Sequence, residues 1–208
     1  MLGKLLISMI ILLISSPFAN SQQVGPDVKS KEKMIHDKIL GISFAEVGKT
    51  QPIDSTGYSM VLIADKTGTG KTAMAYVLTS DQLFVDLPGS YGGRLFYTSP
   101  EAHHLLKNRI LVDTVKTNFT QFVREYWTVY AGMGMWECVI NCHTQKAGKY
   151  YLVAMIQDRA FGKPGEVIDG KRLSAEELQK GLLRSLQDTT DVAIQQFDRL
   201  LASFRIDK

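Results

Sequence analysis

Residues 150–156, Tyr-Tyr-Leu-Val-Ala-Met-Ile, are apolar at every position. A strand with one wet face alternates apolar and polar side chains, so a short run that is apolar on both alternating faces predicts a central strand, covered on both sides. The residues before it, Met-Trp-Glu-Cys-Val-Ile-Asn-Cys-His-Thr (135–144), form a second strand-like run, and Gln145-Lys146-Ala147-Gly148 separates the two. A short polar loop that contains Gly predicts a hairpin.

Upstream, short apolar runs at 58–64, 72–79, 82–87 and 94–98 predict further strands, because their separators carry the Gly, Pro, Asp and Ser that turns require. Residues 87–93 read as a turn or exposed loop. Ser99-Pro100-Glu101 signals the start of a short helix through Leu106. A longer helix is predicted over 113–132. There Val115, Phe119, Phe122, Val123, Tyr126, Trp127 and Tyr130 make one stripe on a 3.6-residue period, with Gly132 as terminator. The aromatic stripe is read as core packed on a sheet rather than as a ligand groove. After an irregular stretch at 159–172, Ser174 and Glu177 have capping-box spacing, and Leu178, Leu182 and Leu186 repeat every four residues. Ile194, Phe197, Leu201 and Phe204 continue the helical pattern, with a break at 188–191.

Strands, a long helix, a hairpin and a helical C-terminus predict the α+β class, an antiparallel sheet with helices packed on it. The order of elements over 110–206, closing in Phe-Asp-Arg-Leu-Leu-Ala-Ser-Phe-Arg-Ile (197–206), resembles the PsbP-like family of exported α/β/α sandwich domains. The resemblance covers about half the chain and rests on pattern, with 173–191 as an addition to it. It implies a non-enzymatic accessory or binding role and carries no individual residue across.

Location is written at the N-terminus. Lys4 precedes an apolar run at 5–14 broken only by Ser8, Pro17 ends the segment, and Ala19-Asn20-Ser21 fits small-x-small cleavage before Gln22. This is the layout of a signal peptide, 1–21, and the run is too short for a bilayer-spanning helix of about 20 residues. Residues 22–33 read as a polar arm and 34–208 as one domain. The expected product is an exported soluble protein, periplasmic or secreted after cleavage near Ser21/Gln22, with no permanent membrane span. A composition of 45% hydrophobic and 22% charged residues supports a packed core. A net charge of +3 without a basic cluster excludes a nucleic-acid footprint.

The most chemical-looking stretch is 65–72, Asp-Lys-Thr-Gly-Thr-Gly-Lys-Thr. Gly70, Lys71 and Thr72 fill the second half of a phosphate-binding loop, but Asp65 stands where its first Gly belongs, and a carboxylate there repels the anion to be cradled. Lys66-Thr67-Gly68 matches the Lys-Thr-Gly box of serine β-lactamases without the rest of that set. Ser30 and Lys33 lie in the polar arm, and Ser80-Asp81 follows the box rather than preceding it. The stretch is read as a hairpin turn between 58–64 and 72–79.

Cys138 and Cys142 leave three readings open: buried thiols, a disulfide, or a metal site with His143. A strand would hold the two sulfurs too far apart for a bridge, and the spacing is not that of common zinc sites. His103 and His104 are adjacent and diverge on a helix, so they read as solvated. Asn118-Phe119-Thr120 is a glycosylation acceptor only in a eukaryotic secretory pathway. No catalytic, cofactor-binding or metal-binding residue is selected, and no cofactor is expected. The function expected is a non-catalytic binding or accessory protein of the cell envelope, its partner an unknown protein or small ligand. The alternatives are an exported hydrolase-type enzyme whose site forms only in three dimensions, and a nucleotide binder through 65–72.

Overall fold

The computed structural model describes residues 33–53, 56–63, 72–81 and 109–207. Its frame is a seven-stranded antiparallel sheet built from two meanders. The first contains β3 (Lys49–Ile53), β4 (Gly57–Ile63) and β5 (Thr72–Ser80). The second contains β6 (Arg109–Lys116), β7 (Gln121–Gly132), β8 (Met135–Lys146) and β9 (Lys149–Ala160). The order β3-β4-β5-β9-β8-β7-β6 puts β9 in the middle. The run apolar on both faces is therefore the central strand, and Tyr151 through Gln157 are all buried. The β8–β9 loop is shorter than its sequence indicates, because Gln145 and Lys146 pair with Tyr150 and Lys149. Only Ala147 and Gly148 turn, at φ 52° and 81°, the two left-handed conformations of a type I′ hairpin.

A smaller antiparallel sheet, ordered β1-β2-β12, joins β1 (Met34–Asp37), β2 (Ile42–Ala45) and β12 (Arg205–Ile206). Within 159–172, β10 (Val167–Ile168) and β11 (Lys171–Arg172) form a short ribbon.

Two helices follow. The Ser174 hydroxyl accepts from the Glu177 N–H at 3.2 Å while the Glu177 carboxylate accepts from the Ser174 N–H at 2.9 Å, so the expected capping box opens α1 (Ala175–Leu186). Asp191 caps α2 (Val192–Ser203), accepting from the N–H groups of Ala193 and Ile194. Gly181 of α1 is required by packing, since a Cβ there would lie 2.5 Å from the Phe161 ring.

Both helices pack on one face of the large sheet. Leu178, Leu182 and Leu186 of α1, and Ile194, Phe197 and Leu201 of α2, share a core with Val77, Phe122, Tyr126, Ile140, Val153 and Met155. The opposite face carries a second apolar cluster that includes Tyr76, Trp127, Val139, Leu152 and Ile156.

Two expectations are corrected. The helix over 113–132 is absent. The chain instead runs through the end of β6, a turn in which Thr117 Oγ1 accepts from the N–H groups of Phe119 and Thr120, and then β7. Aromatic and β-branched residues favour strand, and here side chains on both faces of β7 are buried, with Phe122 and Tyr126 on one side and Trp127 on the other. Burial on two faces erases alternation, and what remained fitted a helical period by coincidence. The fold class changes accordingly. Strands hold 57% of the structure against two helices among the described residues, a mostly antiparallel β protein rather than an α+β or α/β/α sandwich. The PsbP-like pattern over 110–206 also loses its leading helix. The signal peptide, most of the polar arm, the runs at 82–87 and 94–98, the loop 87–93, the helix from Ser99, His103, His104 and residues 64–71 lie outside the described residues.

Candidate functional site

The break between the helices sits beside the sheet and makes a cleft. β7 brings Arg124 and Tyr126, two apart and hence on one face, and β8 adds Ile140. The end of α1 supplies Leu186 and Gln187, the connection supplies Thr189, and α2 supplies Ile194, Phe197 and Asp198, around a volume of about 280 Å³. The connection is held by its own polar groups. Asp188 Oδ1 accepts from the Thr190 N–H at 2.9 Å and its hydroxyl at 2.7 Å, and the Thr189 carbonyl accepts from Gln195 Nε2 at 2.8 Å.

Charge in the cleft is unequally compensated. Asp113 of β6 takes Arg124 as a fork, with Nε–Oδ1 at 2.8 Å and Nη2–Oδ2 at 2.6 Å. The guanidinium carbon lies 5.2 Å from the centre of the Tyr126 ring. Burial is the largest single influence and works against the Arg124 charge. The hydrogen bonds to Asp113, together with the electrostatics of Tyr126, Asp113 and Cys142, outweigh it and keep the group protonated. Burial also holds the Tyr126 phenol well above its ordinary pKa, so it remains a donor. Asp198 differs: no hydrogen bond or ion pair holds its carboxylate among the described residues, and burial raises its pKa, with the Arg124 charge offsetting part of the rise.

The thiols behind this cleft are inert. Cys138 and Cys142 share a face of β8, about 13 Å apart at the usual strand rise, and both are buried and free. Burial pushes the Cys138 thiol up to about 12 and the Cys142 thiol higher still, so thiolate is scarce at neutral pH. His143, one residue on, points to the opposite face, where burial depresses its pKa against the pull of Glu125. The three side chains are not brought together, and no cluster suited to a metal ion occurs among the described residues.

The face away from the helices has polar content of its own. Arg109 Nη1 lies 2.9 Å from Glu125 Oε1, its guanidinium 5.8 Å from the centre of the Trp127 ring. Asn141 is fully buried, and neither amide atom has a hydrogen-bond partner among the described residues. Asn118 and Phe119 of the glycosylation pattern lie exposed in the β6–β7 turn, with the Arg205 guanidinium 3.9 Å from the Phe119 ring centre.

Around the stretch 65–72, β4 and β5 pair antiparallel from Gly57↔Leu78 to Ile63↔Thr72. The chain on either side is strand, where a phosphate-binding loop would lead into a helix.

Sequence reasoning placed Arg124 and Tyr126 in a helix and passed over Asp198. One signal was present: Asp198 sits at i+4 from Ile194 and i−3 from Leu201, a carboxylate in the middle of an apolar stripe. Comparison with protein-family models and with curated proteins finds no match for the chain.

Proposed function

We propose that this chain is an exported, non-catalytic binding protein whose cleft between β7–β8 and the α1–α2 connection receives a small ligand. The observation that carries the reading is Asp198, a carboxylate held in a part-apolar cleft with no hydrogen-bond or ion-pair partner among the described residues. An unpaired charge taken partly out of water is unfavourable in the empty protein and becomes favourable when a ligand supplies the missing group. The N-terminal segment with signal-peptide layout supports export. No helix of the described residues is long and apolar enough to cross a membrane.

The hydrolase alternative needs an accessible nucleophile beside a base. The cleft lining contains no His, and the thiol beneath it, Cys142, is buried and protonated. The nucleotide alternative needs a strand-to-helix loop, and the strands flanking 65–72 are neighbours in one sheet. Nuclear magnetic resonance on the mature chain with a library of small polar and amphiphilic compounds tests the binding reading. Saturable shifts at Ile140, Ile194 and Phe197 without conversion of the compound support it. Compounds that shift only residues elsewhere, or that are turned over, contradict it.

A further inference from the structure

The charge balance of the cleft narrows its ligand. Arg124 is the only cation among the lining residues, and Asp113 already takes two of its donors in parallel. The guanidinium charge is thereby largely compensated, while the Asp198 charge is not. The local excess is negative, contributed by one carboxylate with vacant acceptor sites. Tyr126 and Phe197 add aromatic rings, which attract cations and disfavour anions. Ile140, Leu186 and Ile194 form an apolar wall that a charged headgroup alone would leave uncovered. The volume, about 280 Å³, falls just under the usual range of roughly 300–1,000 Å³ for ligand pockets, which fits a small molecule.

The geometry points to a small organic cation, a protonated amine bearing an apolar group, as the ligand of this cleft, with Asp198 as its anchor. The ammonium donates to the Asp198 carboxylate, Thr189 and Gln187 supply polar groups at the connection, and the apolar part lies against Ile140, Leu186 and Ile194. The inference rests on the cleft being the binding site and adds the chemical class of its occupant. An anion held by the remaining Arg124 donors is the competing occupant, disfavoured because it would bring a third negative group beside Asp113 and Asp198.

Three probes of one shape separate these cases: 2-phenylethylammonium, neutral 2-phenylethanol and anionic 3-phenylpropionate, each titrated into the mature chain and followed by nuclear magnetic resonance. The ammonium should bind saturably at Ile194, Phe197 and Asp198. The alcohol should bind about ten- to a hundredfold more weakly, the usual value of a charge-assisted hydrogen bond. Asp198→Asn should reduce the ammonium to the affinity of the alcohol while leaving the alcohol unchanged, which also shows that the variant is folded. Asp198→Glu, which keeps the charge, should restore part of the loss. Tighter binding of the propionate, or an Asp198→Asn variant that holds the ammonium as well as wild type does, overturns the amine while the cleft stands as a site. Silence of the lining resonances toward all three probes overturns both.

Discussion

Arg159 Nη2 lies 2.7 Å from Asp191 Oδ2, and this pair ties the end of the second meander to the start of α2. The other Asp191 oxygen caps the helix, accepting from the Ala193 and Ile194 N–H groups, while Arg159 also donates twice to Gln157 Oε1, at 3.1 and 2.7 Å. One carboxylate therefore sets both the position and the first turn of the helix that carries Ile194, Phe197 and Asp198 into the cleft.

Removing one partner leaves the other buried and uncompensated. Asp191→Ala should cost about 3–5 kcal/mol in urea unfolding, more than the roughly 1 kcal/mol of an N-cap alone. The double variant Arg159→Met with Asp191→Ser, which keeps a capping oxygen and removes the stranded charge, should recover most of the loss. Additive losses in the double variant would show that the two side chains act separately.

Asp198 should make stability depend on pH in an unusual direction for a carboxylate. Burial raises its folded pKa above the ordinary 3.8, with Arg124 offsetting part of the rise and Tyr126 and Cys142 nearby. A raised folded pKa favours the fold fully below the unfolded value, and that contribution disappears as pH rises through the folded value. Asp198→Asn should therefore match wild type at pH 3 and exceed it in stability at pH 7. Denaturant unfolding at the two pH values reads this directly, and a variant weaker than wild type at pH 7 would refute it.

The middle of the sheet should tolerate little. Leu152 is fully buried in the cluster on the face away from the helices, which also contains Ile156. Leu152→Ala should lose about 2–5 kcal/mol, as large-to-small core changes do. A loss under about half a kcal/mol, ordinary for a surface site, would misplace that face.

The cysteines should be silent in the folded protein. With both thiols buried and protonated, a thiol reagent should modify Cys138 and Cys142 only after denaturant is added, and reductant should leave the intact mass unchanged. Rapid labelling of the native chain, or a mass gain of two hydrogens on reduction, would contradict the structure.

Elements whose signals are local were legible in the sequence. The capping box of Ser174 and Glu177 needs four residues, and the β8–β9 hairpin needs two flanking runs and a short polar loop with Gly, although the sequence marks four loop residues where two turn. β7 was misread because burial on both faces removes the alternation that marks a strand. The strands at 34–53 were not anticipated, since four- and five-residue strands carry too few positions to show a period. The candidate site was least visible. Asp113 and Arg124 meet across a strand pair joined by a turn, and Asp198 hides in an amphipathic stripe, so their proximity exists only after the sheet and α2 have packed.

Thermal unfolding of wild type and Asp198→Asn at pH 7, with and without 2-phenylethylammonium, reads out whether Asp198 anchors an amine in the cleft. A ligand at 100 times its Kd adds about 2.7 kcal/mol to the folded state. The amine should raise the wild-type Tm, closing or reversing the gap to the variant. It should raise the variant's Tm far less, because ten- to hundredfold weaker binding leaves only about 1.4 to 0.4 kcal/mol at the same concentration. Equal shifts in both proteins, or none in either, would contradict a cleft anchored on Asp198.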